Sequence, residues 1–205
     1  RRVTFGVRYA SGDIHEVFDA NCRRYPVLLP TVSDTPPEEF AHLRLHNGTL
    51  WRWTRPLIGF SANGKPHIRI EHRSVAAGPT HADEIANAAL FFGLISALMQ
   101  EEDIEQRIPH IVSRHNFYAA AKSGMHTPVE WLDGKEASLR TLLLQELLPL
   151  ARKGLASLDV DHDEADASLH IIEQRLQTRQ TGAKWQREWV EKHGPDWRGL
   201  VLDYA

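Results

Sequence analysis

The stretch His67-Ile68-Arg69-Ile70-Glu71-His72-Arg73, followed by Gly78-Pro79-Thr80 and an apolar segment from Ile85 to Met99, limits what this chain can fold into more than any other. Side chains alternate across a strand, so a strand here sets His67, Arg69, Glu71 and Arg73 on one face and Ile68 and Ile70 on the other. The plain reading of such a row of charge is a solvated face with an Arg/Glu ladder. A strand that ends in Gly-Pro-Thr and leads into a long apolar helix also predicts an α+β chain, its hairpin followed by helices.

Loop length decides which residues share the charged face. The hairpin partner runs through Trp51, Trp53 and Ile58 and is joined to the second strand across Asn63-Gly64. A two-residue turn sets Arg55 opposite His72. A three-residue loop, Ala62-Asn63-Gly64 with Gly64 left-handed, sets Arg55 opposite Glu71 and on the charged face. Pro56 adds a bulge as a third option. Trp51 and Trp53 share the Arg55 face in an ideal strand, either beside a site or drawn into the core, the commoner fate of tryptophan.

Upstream, the alternation Val3, Phe5, Val7, Tyr9 predicts an N-terminal strand. Asp13 with Glu16 reads as a capping box for a helix with Ile14, Val17, Phe18 and Cys22 on one stripe, ending before Pro26. A short helix is expected over 38–45. Beyond residue 80 the pattern is helical. Thr80 and Asp83 form a capping pair for a mostly buried helix with Ile85, Ala88, Ala89, Phe92, Ile95 and Met99 in register. Further helices are expected over 105–123, on both sides of Pro149, and over 165–179, 183–193 and 197–204. The expectation is a single domain over 1–205: a small antiparallel sheet, hairpin 49–73 plus the N-terminal strand, covered by a mainly helical C-terminal region.

Composition removes several functional classes. A formal charge of −3 carries no basic excess for nucleic acid or anionic membrane, so an anionic ligand needs a local cluster. Cys22 is the only cysteine, which excludes an internal disulfide and suits a reducing, cytoplasmic setting. The apolar run from Ala88 to Met99 falls short of the ~20 residues of a spanning helix, and no signal peptide opens the chain. The first residue is Arg1 and an alternating strand pattern follows directly, which reads as the middle of something, as a trimmed tag or as a processed terminus. The 12 histidines show no zinc spacing, and His67 and His72 fall on opposite faces. Asp159, Asp161, Asp163 and Glu164 lack the glycine and glutamate of a calcium loop and read as helix caps. No Walker A, Rossmann or Gly-x-Ser-x-Gly pattern occurs.

Glu71 and Arg73 are the leading chemical pair. Two residues apart on one face, they stand roughly 6–7 Å apart along the strand and reach different parts of one ligand. A carboxylate suits Mg²⁺, and a guanidinium fork suits phosphate or carboxylate oxygens. Arg55 is a second phosphate clamp under the three-residue loop. The competing reading is an ion pair within the sheet.

Arg55-Pro56, the Arg69–Arg73 strand, Gly78-Pro79-Thr80, Asp83 with Asn87-Ala88-Ala89, Asn116-Phe117-Tyr118-Ala119-Ala120-Ala121 with Gly124, and Thr181-Gly182-Ala183 with Gln186 occur in one order. From about residue 40 onward this succession resembles the C-terminal half of carboxylate-amine ligases of the glutamate-cysteine ligase type 2 family. The resemblance implies a glutamine synthetase-like fold, with Glu71 as a Mg²⁺ ligand and Arg73 and Arg55 as catalytic and ATP-contacting residues. Asn116 is a candidate polar helper, or else a helix residue bonding a neighbouring backbone. The implied reaction is ATP-dependent amide formation through an acyl phosphate, with amino acids as substrates. The implied partner is the N-terminal half of the same protein, which carries most metal-binding carboxylates, so this chain is a partial catalytic unit and inactive alone. Self-association, and a non-catalytic binding or assembly module that keeps the fold, are the alternatives.

Overall fold

A computed structural model describes residues 1–76 and 78–204. Among the described residues the chain is α+β, 58% helical, with two small antiparallel sheets of two strands each. It divides into two compact units, Arg1–Ala76 and Ala77–Ala205.

The first unit contains α1 (His15–Arg24), α2 (Ala41–Gly48), β1 (Thr54–Phe60) and β2 (Pro66–His72). Helix α1 starts where Asp13 accepts a hydrogen bond from the His15 N–H; Glu16 bonds the Ser11 and Gly12 N–H groups instead of closing a capping box. Phe18 and Leu50 are the first unit's buried hydrophobic side chains, and two asparagines, Asn21 and Asn47, are buried with them. Asn21 Nδ2 donates to Asn47 Oδ1 (2.9 Å), and Asn47 Nδ2 donates to the Pro56 carbonyl (3.0 Å), so one polar chain ties α1, α2 and β1 together. Each buried amide group thereby recovers a partner that water no longer supplies.

The expected N-terminal strand reduces to one parallel bridge, Val3↔Trp51. Gly6 at φ 103° turns the backbone out of the extended region, and Val3 and Val7 stay exposed despite their alternation. The hairpin is real but shorter than 49–73. Ile68 and Ile70, on its apolar face, are half exposed, because a ribbon of two strands offers too little surface to bury both.

The second unit contains α3 (His81–Leu98), α4 (Ile104–Arg107), α5 (His110–Ser123), β3 (Pro128–Glu130), β4 (Glu136–Ser138), α6 (Leu139–Leu142), α7 (Leu148–Ala156), α8 (His162–Thr178), α9 (Gly182–His193) and α10 (Trp197–Tyr204). Thr80 and Asp83 form the expected capping box, and Asp161 accepts from the Asp163 and Glu164 N–H groups at the start of α8. The core joins Ala86 of α3, Leu148, Ala151 and Leu155 of α7, and Ala165, Leu169, Ile172 and Leu176 of α8.

The face of α3 that packs is not the expected one. Ala86, Gly93 and Ala97 are buried, whereas Ile85, Phe92, Ile95 and Met99 are exposed. The helix is apolar all round, so periodicity alone does not choose a face; small size does. A Cβ on Gly93 would strike the Ala151 backbone and one on Gly154 the Gly93 backbone, so α3 and α7 cross backbone against backbone.

Three other expectations change. Pro109 divides the 105–123 segment into α4 and α5, since the residue before a proline avoids helical geometry and Ile108 is extended (φ −129°, ψ 93°). Pro149 falls in the first turn of α7 as expected, but helical geometry is not interrupted ahead of it. A π turn over Leu143–Leu147 widens the coil just ahead of the residue that lacks an N–H. The β3–β4 hairpin, three residues per strand, carries too little alternation to be read from sequence.

Candidate functional site

The hairpin register follows from its loop. Ser61 N–H donates to the Lys65 carbonyl (3.0 Å), Gly64 N–H donates back to Ser61 O (2.9 Å), and Gly64 sits at φ 79°. This is the three-residue loop, 61 faces 65, and Arg55 lies directly opposite Glu71 without a bulge at Pro56. The left-handed glycine therefore decides that the two groups meet.

Arg55, Glu71 and Arg73 converge. Arg55 Nε donates to Glu71 Oε2 at 2.8 Å, and Arg73 Nε lies 3.3 Å from the same oxygen. Arg55 is the better held: its Nη1 donates to the carbonyls of Asn47 (3.1 Å) and Leu50 (2.9 Å), and only 10% of its side chain is exposed. Asn47 thus organises the site twice, through its side chain in the core and its carbonyl on Arg55. Nothing in its sequence context signals either role.

Arg73 is 28% exposed, and its guanidinium carbon lies 3.9 Å from the centre of the Trp51 ring. Trp51 precedes β1 and is itself 40% exposed, so it packs beside the site rather than in the core. The Trp53 carbonyl accepts from the Arg73 N–H (2.7 Å) and fixes the backbone where the strand ends. Arg69 is exposed, opposite Leu57. His67 covers Gly59, where a Cβ would meet its Nε2 at 2.7 Å. His72 belongs to the other face, near Thr54, and burial holds its imidazole below the usual histidine range, which favours the neutral ring.

Two guanidiniums around one carboxylate leave the cluster with an excess positive charge. The first unit amplifies it, with eleven Lys and Arg against seven Asp and Glu. Glu71 Oε1 and both terminal nitrogens of Arg73 engage no partner among the described residues. The arrangement therefore offers one carboxylate oxygen for a hard cation and one guanidinium fork for an anion. Among the described residues no group of three or more His, Cys, Asp or Glu gathers to hold a metal ion. With Mg²⁺ such a site fits only a cation that arrives with phosphates and waters as its other ligands.

Asn116 lies elsewhere, in α5. Its Nδ2 donates to the Glu130 carbonyl (2.6 Å) and its Oδ1 accepts from the Glu130 N–H (3.3 Å), so the amide stands in for a strand neighbour of β3. That is the backbone-bonding role. Asp83 and Asn87 both accept from Arg175 of α8, at 2.5 and 2.8 Å, and lock the start of α3.

Compared with family models, curated proteins and solved structures, the chain matches none. No helix among the described residues is long and apolar enough to cross a membrane.

Proposed function

We propose that the chain contributes the arginine-rich part of the nucleotide site of an ATP-dependent carboxylate-amine ligase, glutamate-cysteine ligase-like, within a glutamine synthetase-like catalytic domain. The meeting of Arg55, Glu71 and Arg73, with Glu71 Oε1 and the Arg73 fork still open, carries the reading. The order of Arg55-Pro56, the Arg69–Arg73 strand, Gly78-Pro79-Thr80 and Asp83 along the chain, which resembles that of the ligase family, supports the same reading.

In the ligase reaction a substrate carboxylate oxygen attacks the γ-phosphorus of ATP, the bond to the bridging oxygen breaks, and ADP leaves. The amine of a second amino acid then attacks the acyl carbon, phosphate departs, and the nitrogen sheds a proton to solvent. Arg73 grips an equatorial phosphate oxygen through its open nitrogens. Arg55, held by two carbonyls, acts as a fixed positive charge that keeps Glu71 pointed at the same place. Glu71 Oε1 would hold Mg²⁺, which when bound spreads the negative charge of the phosphates. The remaining metal carboxylates come from the rest of the catalytic domain, so residues 1–205 bind without turning over. The setting is the ATP-rich cytoplasm.

Glu71→Ala in the complete protein abolishes Mg-dependent ATP binding. Equal affinity in variant and wild type defeats the proposal. An amino-acid panel scored by ADP release then names the acid and the amine.

A second reading, an assembly module without chemistry, is favoured by α3. Ile85, Ala88, Phe92, Ile95 and Met99 recur at intervals of three and four with no charged residue among them, the spacing of a coiled-coil seam. With Leu158 and Val160 the exposed members present on the order of 600 Å² of apolar surface, most of the ~800 Å² each partner gives a standard interface. The occupant in this reading is a second copy, paired α3 to α3. Light scattering then gives twice the chain mass for wild type and the single mass for Phe92→Glu; a monomer at all concentrations removes this reading.

A further inference from the structure

Arg55 and Arg73 are not equivalent, and the difference points to a third residue. Arg55 spends Nε on Glu71 and Nη1 on two backbone carbonyls. Arg73 makes only the 3.3 Å approach to Glu71 through Nε and lies with its guanidinium carbon over the Trp51 ring. Contact through the flat π face leaves the in-plane N–H fork free, so a stacked arginine still takes an anion through two parallel hydrogen bonds. Without the ring, Arg73 is a long, part-exposed side chain held near Glu71 by one ion pair, and its rotamer freedom must be given up on binding.

The indole stands on a fixed backbone. Trp51 N–H donates to the Arg2 carbonyl (3.0 Å), the Thr4 N–H donates to the Trp51 carbonyl (3.3 Å), and the preceding Leu50 is 1% exposed. This single parallel bridge, all that remains of the expected N-terminal strand, therefore braces the ring against which Arg73 leans.

We infer that Trp51 is a positioning residue. It holds the Arg73 guanidinium flat, with its fork presented to a polyphosphate, and so sets the affinity of the site without touching the ligand. This rests on the nucleotide-site reading above.

The test is calorimetric titration of the full chain with inorganic tripolyphosphate and Mg²⁺. Trp51→Leu weakens binding about three- to fivefold, the scale of an exposed cation–π contact. Trp51→Phe, which keeps an aromatic face, stays within about twofold by the same reasoning. In an Arg73→Gln background the leucine substitution has no further effect, because no cation is left for the ring to hold; an equal loss in both backgrounds marks a merely structural role and overturns the inference. An NMR measurement stands beside the titration in case Trp51→Leu unfolds the unit. The Arg73 Hε resonance of the wild-type chain is moved upfield by the indole ring, and the Phe variant keeps that shift. An unshifted resonance overturns the inference. If wild type binds and Trp51→Leu binds equally well, this inference fails and the nucleotide site stands. If wild type binds no tripolyphosphate, both fall.

Discussion

Asn47→Ala is the substitution that most directly connects core to site. Asn47 is 3% exposed and Asn21 5%. Removing the amide deprives Asn21 Nδ2 of its acceptor and the Pro56 carbonyl of its donor. Each buried polar group left without a partner costs about 1–3 kcal/mol, so the first unit loses roughly 2–6 kcal/mol, a large part of a small unit's stability. Asn47→Asp is worse. Its oxygens still accept from Asn21, but two acceptors then face each other at Pro56 and a charge is buried. The Asn21→Ala/Asn47→Ala double variant recovers about 1 kcal/mol of the summed losses, because the pair shares one hydrogen bond. The assay is native-state hydrogen exchange of the α1, α2 and β1 amides, which resolves this unit from the second, where one unfolding midpoint mixes both. Protection in Asn47→Ala within about 0.5 kcal/mol of wild type refutes the network argument, that being the scale of an indifferent surface change.

Other consequences are equally measurable. Gly154→Ala drives a methyl into the Gly93 backbone and lowers the urea midpoint of the second unit by the equivalent of about 3 kcal/mol, while Ala156→Gly in the same helix costs about 1 kcal/mol; similar losses refute the close crossing. At Asp83, burial pushes the carboxyl pKa up, but the Arg175 and Thr80 hydrogen bonds outweigh it and hold the pKa below its ordinary 3.8. Folding is therefore stabilised above pH 3.8 and that contribution is lost as pH falls through the depressed value. Urea midpoints measured from pH 5 down to 2 show this acid limb in wild type and a shallower one in Asp83→Asn; parallel curves count against the assignment. Asn116→Leu leaves Glu130 N–H and C=O without their amide and speeds exchange at β3 by about tenfold, the equivalent of one lost hydrogen bond; unchanged protection shows that water replaces the side chain at no cost.

Much of the helical half was legible because caps and stripes act locally. Thr80 with Asp83, and Asp161, mark helix starts through hydrogen bonds that span a few residues, and the helix expected over 165–179 buries Leu169, Ile172 and Leu176 at its helical spacing. Errors fell where local signals tied. The apolar residues of α3 surround the helix, so the contact face depended on where Gly93 met the small residues Ala151 and Gly154 of α7.

For the candidate site, sequence determined the alternation that sets Arg69 and Glu71 on one side of β2, with Arg73 following just past its end, because strand geometry has a period of two. It also narrowed the partner of Glu71 to a few registers. Tertiary structure decided among them: the Ser61–Lys65 pair closed a three-residue loop and brought Arg55 to Glu71. Distant groups did the rest. Asn47 and Leu50 turned their carbonyls to Arg55, and residues 2–4 braced the ring under Arg73, contacts that no period along the chain encodes because they depend on where separate segments meet in space.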